Sequence, residues 1–492
     1  MACTTLLVGK NATYDGSTMI ARNDDNHFDP KRFTVYAPDF WPAVYKTVIS
    51  HLEIPLPGGA MRITAMPNAV ADKGLWAAAG VNTANVAMTA TETITTNARV
   101  LGADPRVVYQ PAADGKPAVP GGIGEEDIVA LVLPYIRSAR EGVLRLGQLL
   151  ETYGTYESNG IAFQDVNEVW YLESIGGHHW MARRVPDDAC VVMPNQLGID
   201  SFDFDDAYGE GRENLCSADL REFVAKYHLD LSTDGVFDPR AAFGSHDDAD
   251  HVYNTPRAWD LLRRLNPHGW VWEGDNADFT PLSDDLPWCT VPEKKLTPED
   301  IKTLLSAHYQ GTPYDPYGPG KDDSQRGIYR CIGINRNAFL GFIQIRPDVP
   351  AEQSAIEWLA YGSNVFNAMV PFYANVDTVP EYLSCTTGTV STDSFYWTSR
   401  LIAAMADAAY GATVAEIENY GTRTIAESRA ILYAYDAKLA AEADPAARAA
   451  LREEANAAVA DALRKRADAV LGVVLDARSL GMKNGFARWD PS

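Results

Sequence analysis

The chain has 492 residues, of which 46% are hydrophobic and 22% are charged, and these proportions exclude a chain that is disordered throughout. Its net charge of -24 repels phosphate backbones and anionic headgroups, which argues against nucleic acid or a membrane surface as a partner. No apolar run approaches the roughly 18 residues of a membrane helix, and the N-terminus lacks a signal-peptide pattern, so we expect a cytoplasmic protein.

The beginning of the chain has strand patterns. Residues 3–8 and 19–21 read as strands, and Asp15-Gly16-Ser17 supplies a turn between them, which predicts an N-terminal hairpin. Further strands are predicted at 33–36, 62–65, 75–79 and 86–91. Together these segments favour an antiparallel sheet.

Two helices and a second series of strands come next. Apolar residues at three- and four-residue spacings predict helices at 125–138 and 144–153, the first of which opens with Glu125-Glu126-Asp127. Strands are predicted at 160–163, 169–172, 179–182 and 190–193. Strands, then helices, then strands again indicate an α+β fold in which helices cover sheets.

The second half of the chain has a different character. Residues 200–330 are rich in Asp, Gly, Pro and Tyr, with short helices predicted at 220–227, 258–265 and 298–308, and the chain is largely helical from 395 onward. We therefore expect one core at 3–395 with a decorating region at about 200–330. A helical C-terminal extension at 396–492 is expected to pack on this core.

The cysteines are widely spread. The six contain no CxxC pair, so neither a zinc knuckle nor a disulfide scaffold is indicated, and five of them are expected to be buried hydrophobes. Cys3 differs because removal of Met1 and Ala2 would place a thiol and a free α-amine on one residue. Such an amine, with a pKa of about 8, can act as the base that activates the thiol. If Ala2 stays, this nitrogen is a peptide nitrogen and the base is absent.

A polar segment ends the second strand of the predicted hairpin. Pairing of the two strands brings the run Ala21-Arg22-Asn23-Asp24-Asp25-Asn26 close to Cys3. Arg22 can then favour the thiolate and Asp25 can orient the α-amine, each through a charge-assisted hydrogen bond. Seen alone, the same run is also typical of a solvated turn.

At these residues the sequence resembles a known family, the C69 dipeptidases. The resemblance is carried by Ala2-Cys3-Thr4-Thr5-Leu6-Leu7-Val8-Gly9, Asp15-Gly16-Ser17, Arg22-Asn23-x-Asp25, Gly80-Val81-Asn82 and Ala90-Thr91-Glu92-Thr93. That family belongs to the N-terminal-nucleophile hydrolases and is similar to penicillin V acylases and bile salt hydrolases. The resemblance implies an αββα sandwich, exposure of the cysteine, and hydrolysis of dipeptides without a metal or other cofactor.

The resemblance also implies roles for individual residues. Cys3 is the expected nucleophile, Arg22 and Asp25 are its polar supports, and Asn195 is the best match for an oxyanion-hole donor. Asn23 and Asn82, from the quoted motifs, are expected among the substrate-binding residues.

Two further charged residues are expected to bind substrate. Glu92 stands where the acylase branch has an asparagine, and we hypothesise that it pairs with the free ammonium of a dipeptide. Arg336 closes the strand-like run 331–335, where its guanidinium can meet a substrate carboxylate at the rim of a cleft. A surface arginine is the other interpretation.

Three alternatives stay open at this stage. A zinc peptidase is disfavoured because no HExxH is present, and the adjacent His178 and His179 would point to opposite faces of a strand. An acylase of the same superfamily would keep the mechanism and change the substrate. A non-enzymatic binding protein would leave Cys3 as inert core. The sequence also leaves open whether identical chains assemble into an oligomer.

Overall fold

The computed structural model describes residues 3–26, 29–70, 72, 74–89, 92–233, 235–318 and 323–482. Its strands are β1 (Thr4–Val8), β2 (Thr18–Asp25), β3 (Thr34–Tyr36), β4 (Val44–Lys46), β5 (Glu53–Pro55), β6 (Ile63–Ala65), β7 (Ala79–Asn82), β8 (Ala87–Thr89), β9 (Glu92–Thr93), β10 (Asn159–Gln164), β11 (Val169–Ser174), β12 (Trp180–Arg184), β13 (Cys190–Met193), β14 (Asn214–Cys216), β15 (Cys289–Thr290), β16 (Asn337–Ile345), β17 (Ala355–Tyr361) and β18 (Val370–Tyr373).

The helices lie mainly between the two series of strands and after the last strand. They are α1 (Ala98–Ala103), α2 (Glu125–Val132), α3 (Ala139–Tyr153), α4 (Phe204–Ala207), α5 (Leu220–Lys226), α6 (Pro239–Phe243), α7 (Asp250–Tyr253), α8 (Thr255–Leu265), α9 (Pro298–Leu305), α10 (Ala351–Ser354), α11 (Glu381–Ser384), α12 (Phe395–Asp407), α13 (Tyr410–Ala441) and α14 (Pro445–Leu480).

The N-terminal hairpin lies in the middle of a seven-stranded antiparallel sheet with the order β15-β13-β1-β2-β16-β17-β18. Thr4 pairs with Asn23 and Val8 with Met19, which confirms the predicted hairpin. On its other side β2 pairs with β16. Neighbouring strands on both edges of β2 bond its backbone groups, and layers packed on both faces of the sheet cover its side chains. All eight residues of β2 are therefore buried.

The second sheet has nine strands, of which eight follow the order β14-β12-β11-β10-β8-β7-β6-β3, while β9 pairs with β10. It faces the first sheet across a core that contains Leu7 and Ile20 from the hairpin and Ala162 and Tyr171 from the second sheet. The inner faces of the two sheets therefore cover each other. The hairpin supplies one wall of this interior.

Helices cover the outer faces. Leu6 and Ala21, on the outer face of the hairpin, pack with residues of α8 and α9 such as Leu262 and Ile301. On the second sheet, Phe163 and Trp170 pack with α2 and α3. Helices on both sides of paired antiparallel sheets confirm the α+β class.

Some predicted boundaries are wrong for local reasons. The predicted strand at 75–79 instead begins at Ala79, and Trp76 before it has a positive φ of 49°, which is incompatible with extended backbone. The predicted helix at 125–138 ends at Val132 because Pro134 follows, and a short 3-10 turn continues to Tyr135. The capping box of Thr297 and Asp300 opens α9 at Pro298, where the helix was predicted to begin.

The C-terminal helices pack against the far edge of the first sheet. α13 and α14 run side by side, and both contact β18. The division of the chain at residue 395 stays a prediction, although α12 begins there. Across the described ranges, no helix is long and apolar enough to cross a membrane.

Candidate active site

Cys3 directly precedes β1 and is fully buried. Because Thr4 pairs with Asn23, Cys3 lies opposite Asp24 in the register of the hairpin. Side chains alternate along strands, so Cys3, Arg22 and Asp24 share the inner face of the sheet. The hairpin thus brings a thiol, a cation and a carboxylate together between the sheets.

Arg22 is the centre of this group. Its Nη2 atom donates to Cys3 Sγ at 2.9 Å and to Glu125 Oε1 at 2.8 Å, and lies 3.4 Å from Asp24 Oδ1. The Arg22 side chain is fully buried, and that of Glu125 is 3% exposed. A cation this close to sulfur favours the thiolate over the thiol, since the interior screens charge weakly.

Asp24 has a second cation as its partner. Lys31 Nζ lies 2.8 Å from Asp24 Oδ2, and both side chains are buried. Burial alone would raise the pKa of Asp24, but the Lys31 ammonium and the Arg22 guanidinium hold that pKa below its ordinary value. Asp24 is therefore a carboxylate at neutral pH, and its Oδ1 atom lies 3.9 Å from Cys3 Sγ.

Asp25 projects from the outer face of the same strand. Its carboxylate accepts from Arg330 Nη2 and, at 3.1 Å, from Asn337 Nδ2. Burial raises the pKa of Asp25, and the Arg330 guanidinium opposes that rise. The Asp25 side chain therefore lies on the face opposite the thiol, because successive residues of a strand face opposite ways. Its contact with the α-amine, a backbone group, stays a prediction.

Asn23, also on the outer face, bonds to protein groups. Its Nδ2 atom donates to the carbonyl oxygens of Leu305 and Ile332 at 2.8 and 3.1 Å, and its Oδ1 atom accepts from Asn364 at 2.9 Å. Both amide protons are therefore used in holding loops against the sheet. The predicted substrate-binding role of Asn23 stays a prediction.

Asn195 lies just after β13, as predicted, and its amide is held close to Cys3 by Arg257. Arg257 Nη2 donates to Asn195 Oδ1 at 2.8 Å, while Nη1 donates to the carbonyl oxygen of Cys3 and to Thr4 Oγ1. Asn195 Nδ2 donates to the carbonyl oxygen of Thr93 at 2.8 Å. Cys3 and Asn195 are thus tied to one guanidinium.

The remaining predicted residues lie elsewhere or outside the described groups. Asn82 donates to the carbonyls of Leu133 and Ile136 and accepts from two backbone N–H groups, and its substrate-binding role stays a prediction. Arg336 lies in a turn before β16, because the run predicted as a strand at 331–335 is not one. Glu92 begins β9, opposite Gly160, and its side chain lies outside the described groups.

Sequence reasoning missed three charged residues that complete the site. Glu125 was visible only as an acid in the first turn of a helix, and Arg257 and Lys31 carried no motif. Only the folded structure brings these residues close to Cys3. Glu125, for example, bonds to Arg22 although the two are separated by 103 positions in the chain. Glu125 and Arg257 lie in helices that are largely buried, whereas Lys31 is buried between two half-buried neighbours.

The other cysteines have different surroundings. Cys190 is buried as expected, but Cys216, Cys289, Cys331 and Cys385 are only partly buried. Burial raises the pKa of the thiol to about 11 for Cys216 and about 12 for Cys331. Both therefore stay protonated and weakly nucleophilic at neutral pH.

Six of the histidines in the described ranges lie beside carboxylates, namely His178, His179, His246, His251, His268 and His308. His178 and His179, which alternation was expected to separate, both bond through Nδ1 to Asp104, at 3.2 and 2.8 Å. In the part of the chain that the structure describes, no group of three or more His, Cys, Asp and Glu side chains is arranged to hold a metal ion.

The fold and the site together define an α+β protein with a buried, arginine-bound thiol at the beginning of its central hairpin. The family model of peptidase family C69 matches residues 2–423, and the chain belongs to that family. The resemblance seen at the N-terminal motifs is thereby confirmed.

Several curated relatives match over most of their length. The chain is 56% identical over 462 residues to a protein named dipeptidase from Bifidobacterium longum (strain NCC 2705), covering 92% of this chain and 87% of the relative. It is 52% identical over 445 residues to a probable dipeptidase A from Streptococcus pyogenes serotype M3 (strain SSI-1), covering 90% of each. Dipeptidase A from Lactobacillus helveticus is 46% identical over 416 residues, covering 83% of this chain and 82% of the relative.

Proposed function

We propose that this chain hydrolyses dipeptides with Cys3 as an N-terminal nucleophile, on an αββα fold of the N-terminal-nucleophile hydrolases. The observation that carries the proposal is the 2.9 Å contact between Arg22 Nη2 and Cys3 Sγ. The names of the relatives support the class of substrate. The helix-covered pair of sheets supports the fold.

Activation begins with removal of Met1 and Ala2. The amine of Cys3 then has a basic lone pair, takes the thiol proton and becomes an ammonium, while Arg22 stabilises the thiolate. Asp25, held by Arg330 and Asn337 at the end of β2, is proposed to accept a hydrogen bond from this ammonium.

The reaction has two halves. The thiolate attacks the peptide carbonyl, a C–S bond forms, and the ammonium gives its proton to the leaving amine as the C–N bond breaks. The thioester is then attacked by water, whose proton passes to the α-amine, and the C–S bond breaks to release the acid and return the thiol. No external oxidant, reductant or cofactor enters this balance.

Asn195 is proposed to stabilise the oxyanion of both tetrahedral intermediates. The support is its position, because Arg257 holds the Asn195 amide and the carbonyl of Cys3 together. A fixed hydrogen-bond donor of this kind lowers the activation free energy by about 3 kcal/mol. Arg257 is then a positioning residue.

Glu92 is proposed to bind the substrate ammonium, which would favour free dipeptides over N-acyl substrates. Glu92→Gln should lower kcat/KM for a dipeptide. It should leave kcat/KM for the N-acetylated dipeptide, which is expected to be the poorer substrate, nearly unchanged. An equal loss on both substrates would count against this role.

The central experiment joins the N-terminal residue to activity. Intact-mass analysis of the purified active enzyme should show Cys3 as the first residue, and Cys3→Ala should lower kcat on dipeptides by about 10³-fold or more with the fold retained. Cys385→Ala, at a partly buried thiol, is the matched control and should keep full activity. Retention of Ala2 in active enzyme, or an active Cys3→Ala variant, would overturn the proposal. Faster hydrolysis of N-acyl amino acids than of dipeptides would indicate an acylase instead.

A further inference from the structure

The guanidinium that contacts the thiol has a second partner on another element of the fold. Arg22 Nη2 donates at almost equal distances to Cys3 Sγ and to Glu125 Oε1, at 2.9 and 2.8 Å. A long arginine side chain has several rotamers, and its contact to sulfur and the longer one to Asp24, at 3.4 Å, would fix it less firmly than the three contacts together. The charge-assisted bond to Glu125 is stronger than the contact to sulfur.

Glu125 is itself fixed by its surroundings. It is the first residue of α2, and its backbone N–H donates to Glu157 Oε1 at 2.7 Å, in place of a side-chain cap from Gly124. Thr93 Oγ1 lies 3.5 Å from its Oε2 atom. The position of the carboxylate is thus set by the start of a helix on the second sheet, while the thiol belongs to the first sheet.

We propose that Glu125 is a positioning residue that holds the Arg22 guanidinium against the Cys3 sulfur and limits how strongly that guanidinium acidifies the thiol. The proposal rests on the proposed role of Cys3 as nucleophile. The Glu125 carboxylate accepts from Arg22 Nη2 at 2.8 Å. It acts through Arg22.

The two effects of Glu125 on the thiol have opposite signs. Anchoring the guanidinium keeps the cation at 2.9 Å from the sulfur, which lowers the thiol pKa and aligns the nucleophile. The negative charge of Glu125 raises that pKa, as does the charge of Asp24, while Lys31 beyond Asp24 lowers it. The charged or titratable groups around the thiol are three cations, Arg22, Lys31 and Arg257, and three carboxyl groups, those of Asp24, Glu125 and Glu157. Removal of Ala2 adds the α-ammonium.

The next residue along α2 offers a matched comparison. Glu126 accepts from Tyr156 Oη at 2.6 Å rather than from Arg22. Burial, together with the charge of Asp127, raises the pKa of Glu126 to about 8, so this side chain is largely neutral at pH 7. Removing the acid at position 126 should therefore change the charge near Cys3 very little.

The test is the rate at which iodoacetamide alkylates Cys3 in the folded, processed enzyme, measured as a function of pH. The extent of alkylation is read afterwards from the mass of the N-terminal peptide. Glu125→Gln keeps an oxygen acceptor for Arg22 and removes the charge, so the thiol pKa should fall by at least about half a unit. Its kcat/KM for a dipeptide should stay within about tenfold of wild type. Glu126→Gln should leave the thiol titration unchanged.

A second variant separates anchoring from charge. Glu125→Asp keeps the charge but withdraws the acceptor by one methylene, so the guanidinium is held less firmly at the sulfur. The thiol pKa should then rise, opposite to its shift in Glu125→Gln, and kcat should fall by about 10- to 100-fold with little change in KM. This variant also keeps the test valid if Glu125→Gln does not fold.

Two results would overturn the role of Glu125. One is an unchanged thiol titration in folded Glu125→Gln together with full activity of Glu125→Asp, and the other is an equal shift of that titration in Glu126→Gln. Failure of the proposed function has a different signature, namely an active Cys3→Ala enzyme. The two failures can therefore be told apart.

Discussion

The polar residues at the end of β2 point alternately to its two faces. Both faces are buried, but the groups around them differ. On the inner face, Arg22 and Asp24 meet Cys3 and a carboxylate from the second sheet. On the outer face, Asn23 and Asp25 bond to loops and to Arg330, with no part of the thiol among their described contacts. One face thus concentrates charge at the thiol that we propose as the nucleophile, and the other uses equally polar groups to fix the strand.

The comparison shows that the burial of a polar residue does not by itself indicate a catalytic role. The outer-face groups bond to loops, and a buried hydrogen-bonded group of that kind stabilises or specifies a fold. The inner-face cations lie beside a group that can change its charge. Only the second arrangement couples the electrostatics of the strand to a reaction.

The largest expected effect comes from the inner face. Arg22→Met removes the cation beside the sulfur, so the thiol pKa should rise by about 1 to 3 units and kcat/KM at pH 7 should fall by about 10- to 1000-fold. Alkylation rates and kcat/KM should both recover as the pH is raised. A loss of activity that persists at high pH, with an unchanged alkylation profile, would contradict the role given to Arg22.

Paired substitutions on the two faces would sharpen the contrast. Asp24→Asn removes a negative charge beside the sulfur and should lower the thiol pKa, whereas Asp25→Asn, on the opposite face, should shift the thiol pKa less. Each leaves a buried cation without its carboxylate, and breaking such a pair costs about 3 to 5 kcal/mol. The measurements are thiol titration and chemical unfolding of both variants. Equal thiol shifts would remove the distinction between the faces.

A smaller effect is expected from an outer-face amide. Asn23→Ala removes one of the two acceptors of the Asn364 amide and the donor to the carbonyls of Leu305 and Ile332, which should lower the free energy of unfolding by about 1 to 3 kcal/mol. The thiol titration and the KM for dipeptides should not change. A rise in KM with an unchanged free energy of unfolding would support the prediction that Asn23 binds substrate.

The smallest expected effect concerns the pH dependence of stability. Burial raises the pKa of Glu126 from 4.5 to about 8, so between these values the folded chain keeps a proton that the unfolded chain releases. Stability from this group is therefore present below pH 4.5 and is lost as the pH rises toward 8. Glu126→Gln should flatten this slope and raise stability at pH 9 by at least about 1 kcal/mol. An unaltered slope in urea unfolding at several pH values would contradict the raised pKa.

Much of the fold could be predicted from local pattern. The hairpin, the strands of the second series and the helices near 220, 258 and 298 all appear close to their predicted positions, because their periodicity and caps are local signals. Errors arose where a single residue decides, as at Pro134 and at Trp76 with its positive φ. Hairpin pairing was enough to bring Arg22 and Asp24 to Cys3.

The sequence by itself determined that a cysteine near the N-terminus begins a hairpin whose second strand ends in charged residues, since alternation and a turn need only neighbouring residues. The tertiary structure decided which partners the cysteine and those residues receive, because it brought in Glu125 and Arg257 from distant segments and Lys31 from the segment after β2. The physical reason is that a buried charge needs a partner, and in a two-sheet fold that partner comes from whichever element packs across the interior.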